Sequence, residues 1–286
     1  MTTVAIWYQE NYPTQPVWVC SDSRISGGQS ASWSDAEPLP LLRHSPKIFP
    51  LTITCMDHDA TEANVVAFRH TIGLAYAGSS LFAVNLYAAL TPILANLRGK
   101  RGDQVSIRDV AALAKTFLLE FSRAYGARTG GVAQVEIALF GYCKADSTRR
   151  VFVLSPATEP CSGGPVPSIK LDEIDFATPE QVFLMGSHKS EMLDLIQMMR
   201  RSRPAGTSFR QIAPRDAIRK VIKENLFPDI GGTVQLAQAN MHGLMQFMDL
   251  ERPTESGIAT NFKYLGFDLN EFGNVGPCWF ALPALM

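Results

Sequence analysis

The chain has 286 residues, 46% of them hydrophobic, and its 26 Lys and Arg against 27 Asp and Glu leave a net charge of −1. That length suffices for one large domain or two small ones, burying roughly three quarters of the unfolded surface. The balanced charge excludes the global basic field of a nucleic-acid binder. Five scattered cysteines, odd in number and without CxxC spacing, read as reduced thiols of a cytoplasmic protein. The five histidines lack ligand spacing such as HExxH, so neither a metal nor a cofactor is expected.

Met1-Thr2-Thr3-Val4 opens directly into an apolar run, with no cationic segment that would read as a secretory signal. Removing Met1 would give Thr2 a hydroxyl nucleophile and a free α-amine on one residue. Such an amine titrates near 7.7–8.0, which suits a general base at neutral pH. Thr3–Tyr8 and Val17–Ser21 read as strands, followed by a long polar loop, Gly27–His44. Val65–Arg69 and Ile72–Ala77 read as two more strands. Thr71 to Leu97 carries no charge over 27 residues, long enough to span a bilayer. Gly78-Ser79-Ser80 punctuates it, and Phe82, Leu86, Leu90 and Ile93 follow helical spacing, so a strand turning into a core helix is the reading and no membrane span is expected.

A second helix starts near Ser106, where Asp109 completes a capping-box-like pair, with an apolar face of Val110, Leu113, Phe117, Leu118 and Phe121. A glycine turn at Gly130-Gly131 introduces the hairpin Val135–Tyr142 and Arg150–Leu154. Glu159 to Ser168 reads as a Pro-rich loop, Val182–Met185 as a strand, Glu191–Arg201 and Pro214–Glu224 as helices, and Thr233–Ala237 as a strand. Strand pairs alternating with helix pairs predict an α+β chain with two antiparallel sheets between helical layers. GxSxG, GxxxxGK[ST] and GxGxxG motifs are all missing.

The order Thr2, Ser21-Asp22-Ser23-Arg24, Ser45-Pro46-Lys47-Ile48, Ala77-Gly78-Ser79-Ser80 and Met185-Gly186-Ser187 resembles proteasome β-subunits and the bacterial HslV-type peptidase, across about residues 2–240. The nearest likeness is to the bacterial proteasome homologues described in beta-proteobacteria. The resemblance implies a four-layer αββα sandwich of N-terminal-nucleophile hydrolase type, spanning residues 1–243. Residues 244–286 form a C-terminal extension that packs on the core or on a neighbouring subunit.

The resemblance also implies the site. Thr2 is the nucleophile, and Lys47 lowers the pKa of its amine and stabilises charge developing on its oxygen. Asp22 holds Lys47, Gly78 offers its N–H to the oxyanion, and Ser187 positions or relays a proton. Ile25, Tyr76 and Ser80 border an uncharged substrate pocket. The family's later Asp-x-x-Ser-Gly segment is altered here to Phe227-Pro228-Asp229-Ile230-Gly231-Gly232. Asp229 either supports catalysis in its place or only caps a turn, and the sequence leaves both open. The implied activity is a threonine endopeptidase acting on polypeptides inside stacked rings of six or seven copies of the chain, with any ATPase partner unspecified. Two other readings share the fold: a small-molecule amidohydrolase with an open site, and a non-enzymatic ring or scaffold.

Overall fold

The computed structural model describes residues 2–9, 16–26, 40–59, 65–129, 134–161, 164–178, 180–204, 206–251, 261–268, 275–278 and 282–285. The Gly130-Gly131 turn, most of the Gly27–His44 loop and half of the final octapeptide, residues 279–286, lie outside these residues. In chain order the elements are β1 (Thr3–Tyr8), β2 (Val17–Ser21), β3 (Ile25–Ser26), β4 (Pro40–Leu42), β5 (Ile48–Asp57) and β6 (Val66–Gly78). Next come α1 (Ser80–Leu94), β7 (Leu97–Gly99), α2 (Ile107–Thr129), β8 (Val135–Cys143), β9 (Thr148–Cys161), β10 (Gly164–Glu173) and β11 (Val182–Gly186). The remainder is α3 (Lys189–Arg201), α4 (Ser208–Gln211), α5 (Ala213–Glu224), β12 (Gln235–Asn240), β13 (Gly243–Glu251), β14 (Asn261–Tyr264), β15 (Phe267–Asp268) and β16 (Ala284–Leu285).

Among the described residues two large sheets organise this mixed α+β fold. One runs β11-β1-β2-β12-β13-β14-β15, with β16 also paired to β13; the other runs β10-β9-β8-β6-β5-β7. β1 shows why a continuous apolar run makes a strand here. Successive side chains leave opposite faces of a strand, and both faces of β1 are covered. Val4, Ile6 and Tyr8 join Ala75, Ala77 and Phe140 of the other sheet, while Ala5 and Trp7 pack with Met192 and Ile196 of α3 and Ala217 and Ile218 of α5. The same alternation in β6 sends Ile72, Leu74 and Tyr76 toward α1 and α2, and Ala75 and Ala77 toward β1. Each large apolar side chain buried this way contributes about 1.5–3 kcal/mol.

The capping pair forms as expected: the Ser106 hydroxyl donates to Asp109 at 2.6 Å and accepts from the Asp109 backbone N–H at 3.1 Å. Val110 and Leu118 are buried beneath α2. The uncharged stretch resolves into β6 and a 15-residue α1, and among the described residues no helix is long and apolar enough to cross a membrane.

Three expectations need correction. The two strands expected before Gly78 are one 13-residue strand, β6. Its partner β5 was not anticipated, because Pro50 interrupts the run; Pro50 is tolerated because β7 joins the free side of β5 only from Cys55 onward. The expected Pro-rich loop Glu159 to Ser168 is largely a hairpin, with Pro167 paired to Thr158 and Pro165 to Pro160. Its prolines fit because β10 is the sheet edge and β9 has run past its pairing with β8 after Leu154.

Candidate active site

The start of β1 lies beside β2, β11 and the start of β5. Thr2 immediately precedes β1, and Thr3 stands opposite Gly186 while Val4 stands opposite Ser21. This register puts the residues after β2 and after β11 beside Thr2. Lys47 enters from the start of β5. Its Nζ donates to Thr2 Oγ1 at 2.6 Å and to Asp22 Oδ1 at 2.9 Å. Lys47 and Asp22 are fully buried and Thr2 is 2% exposed.

Asp22 is bound by more than the lysine. The backbone N–H of Thr3 donates to Oδ1, and those of Arg24 and Gly231 donate to Oδ2, each at 3.2 Å. Burial pushes the Asp22 carboxyl up, against the opposing charge and hydrogen bond of Lys47 and the backbone donors. Burial likewise pushes the Lys47 ammonium down, against the pull of Asp22. A lysine so placed titrates closer to neutrality than a solvated one, which suits a group that shares a proton with a hydroxyl.

Gln235, which sequence reasoning did not single out, fixes the lysine's backbone. Its side-chain oxygen accepts from the Lys47 N–H at 2.9 Å, and its amide donates to the Ser45 carbonyl at 2.5 Å. The available signal was a glutamine within the apolar run Val234–Ala237, in register with Ser21.

Ser187 follows β11. Its N–H donates to the Thr2 carbonyl at 3.1 Å, and its hydroxyl donates to Asp229 Oδ2 at 2.6 Å. Asp229 therefore joins this cluster through Ser187. Burial pushes its carboxyl up, but the Ser187 hydrogen bond and the neighbouring His188 outweigh burial and hold it below the ordinary carboxylate range. Arg24 donates to the Pro228 carbonyl at 2.9 Å, securing the segment that carries Asp229.

Two glycines make the close approach possible. Gly186 has φ +93°, and a Cβ there would lie 1.7 Å from the Thr2 carbonyl oxygen. Gly78 has φ +101°, and a Cβ there would lie 2.3 Å from the Gln134 carbonyl oxygen. Both border a cleft of about 550 Å³ together with Ala77, Val135, Glu136 and Lys189.

The expected pocket residues sit elsewhere. Tyr76 is fully buried and stacked on Phe49, because strand alternation turns it toward the helices; burial pushes its phenol up to about 12. Ile25 pairs with Leu42, and Ser80 opens α1; none of the three lines the cleft beside Gly78. That cleft is also not uncharged, since Glu136 and Lys189 form an ion pair at 2.8 Å on its wall. Among the described residues no three His, Cys, Asp or Glu side chains converge as metal ligands would.

No protein-family model matches the chain, and neither does any curated protein. Solved structures do. The Anbu complex from Pseudomonas aeruginosa, described as a helical assembly, shares 14% identity, covering 90% of this chain and 88% of that one with a TM-score of 0.51. An Anbu (Gly-1) mutant from Hyphomicrobium sp. strain MC1 shares 12% identity, covering 85% of each chain with a TM-score of 0.50. Anbu, named as an ancestral beta-subunit, from Yersinia bercovieri shares 15% identity over 86% of this chain and 87% of that one, with a TM-score of 0.48. The fold is thus similar to the proteasome-like fold of Anbu structures. At these identities the similarity concerns fold and not activity.

Proposed function

We propose that this chain is a threonine peptidase of proteasome type, with the αββα layer order of an N-terminal-nucleophile hydrolase in residues 1–243 and an extension in 244–286. The observation that carries the reading is the buried Lys47 ammonium, 2.6 Å from the Thr2 hydroxyl and 2.9 Å from Asp22. Once Met1 is removed, the Thr2 amine takes the proton from Oγ1 as that oxygen attacks the peptide carbonyl. Lys47 stabilises the charge that develops on the oxygen, and Asp22 keeps the ammonium aimed. The Gly78 N–H stabilises the tetrahedral oxyanion. Ser187, held by Asp229, passes the proton between the amine and the leaving nitrogen. Collapse of the intermediate releases the amine product and leaves an acyl ester on Thr2, which water hydrolyses. Substrates are polypeptides, and copies of the chain assemble around the site.

Intact mass spectrometry with and without an epoxyketone-type inhibitor tests the reading directly. The expected result is a chain beginning at Thr2 that gains one inhibitor mass, with Thr2→Ala gaining none. Full amide hydrolysis by material that retains Met1 would overturn it.

A further inference from the structure

We infer that His188 is a positioning residue, holding Asp229 so that its other oxygen stays available to Ser187; the inference rests on the threonine-peptidase reading. His188 Nε2 lies 3.0 Å from Asp229 Oδ1, while the Ser187 hydroxyl donates to Oδ2 at 2.6 Å. An ionised carboxylate only accepts hydrogen bonds, so Nε2 carries the proton and donates. Asp229 is 8% exposed, and each of its two oxygens has a donor. Removing one donor would free the carboxylate to rotate away from Ser187.

The local backbone is shaped to this contact. His188 adopts φ +54° and ψ +35°, a left-handed conformation that residues other than glycine seldom occupy. It is the N-cap of α3, yet its side chain makes no capping hydrogen bond and turns to Asp229 instead. The ring lies flat on Phe227, with centroids 4.0 Å apart and planes 9° apart. Phe227 and Asp229 belong to the same altered segment, so that segment supplies both the platform for the imidazole and its acceptor. The groups facing the imidazole are Asp229 and, 3.7 Å from Nδ1, Glu191. Backbone held off its preferred conformation beside a reacting group is where a functional constraint is sought. The altered segment thus receives a donor from the residue that follows Ser187.

The test uses three single variants of the full chain with Met1 removed, and the double variant that combines His188→Phe with Asp229→Asn. His188→Phe keeps the stack on Phe227 but removes the donor, His188→Gln keeps a donor, and Asp229→Asn removes the acceptor charge. The rate of adduct formation at Thr2 with an epoxyketone and the kcat and KM for a fluorogenic peptide are measured on each, and melting temperature checks folding. His188→Phe is expected to lower kcat and the rate of adduct formation about tenfold or more with KM little changed. His188→Gln should recover most of that loss, and in Asp229→Asn the His188→Phe change should add little. Parent protein that never forms the epoxyketone adduct at Thr2 sinks the peptidase reading itself. Adduct formation that is normal in both His188 variants, or lost equally in both, overturns the positioning role alone. So does a His188→Phe loss that persists in full on the Asp229→Asn background. Should His188→Phe fail to fold, His188→Asn, which is too short to reach Asp229, takes its place under the same criteria.

Discussion

The Lys47 ammonium donates to the Thr2 hydroxyl and to the Asp22 carboxylate at once, with both charged side chains fully buried. Truncating one member of a buried pair strands the other, which typically costs about 3–5 kcal/mol of stability. Lys47→Ala should therefore lower the melting temperature as well as activity. Its kinetic signature is a turnover rate reduced about a hundredfold or more, on the order of 3 kcal/mol, with a much smaller rise in KM. Asp22→Ala acts through the same lysine, so the double variant should lose far less than the sum of the singles. Independent, additive losses would make Asp22 a purely structural residue.

Gln235 offers a separable test. Leucine in its place removes the partner of the Lys47 N–H and of the Ser45 carbonyl without changing any charge. Leaving buried backbone groups unpaired costs about 1–3 kcal/mol each. Chemical denaturation of Gln235→Leu should show a loss in that range, accompanied by slower turnover. Unchanged stability would mean that the backbone on either side of Lys47 finds other partners.

Much of this arrangement was legible in the sequence because its parts sit at element ends. Thr2, Asp22, Lys47, Gly78 and Ser187 each adjoin or end a strand, where the apolar pattern stops and a polar residue begins. The link from Ser187 to Asp229 was not legible, since 42 residues separate them and only the fold brings them together. Tyr76 misled for a different reason: position along β6 was readable, but which face it takes depends on where the helices pack. The β9–β10 hairpin was hidden by prolines, whose meaning changes at a sheet edge. Gln235 was hidden by its neighbours, because burial rather than residue type marks it.

The pH dependence of stability should carry two separate signatures. Asp229 titrates below its ordinary range in the fold, so it binds fewer protons there than in the unfolded chain across that window. Its contribution is fully present above the ordinary carboxylate value near 3.9 and is lost as pH falls through the lowered value. Asp229→Asn should be less stable than the parent at neutral pH, with the gap closing in acid. Tyr76 titrates at about 12 in the fold, above its ordinary value of 10.0. Its contribution is complete below pH 10 and disappears as pH rises toward 12. Denaturation curves at stepped pH would show both; a gap for Asp229→Asn that widens in acid contradicts the first.

Assembly separates the peptidase reading from an open amidohydrolase. The apolar face of α2 is turned inward over Val110 and Leu118 and is taken up by the subunit's own core. Within the final octapeptide, Ala284 and Leu285 pair with Met248 and Asp249 of the same chain. Deleting Trp279 to Met286 should therefore weaken the subunit's own sheet edge. The outer face of α1 remains: Leu81 is 60% exposed and Val84 is 46% exposed, on a helix without a charged residue. Such a face gains by being covered, and obligate interfaces usually bury more than about 2,000 Å². Multi-angle light scattering is expected to give a particle of at least about a dozen chains, as closed assembly of identical subunits into stacked rings requires. Leu81→Glu with Val84→Glu should reduce that mass while leaving the melting transition of the subunit largely intact, since neither side chain is in the core. A stable monomer at micromolar concentration that still cleaves small amides would replace the compartment with an open site.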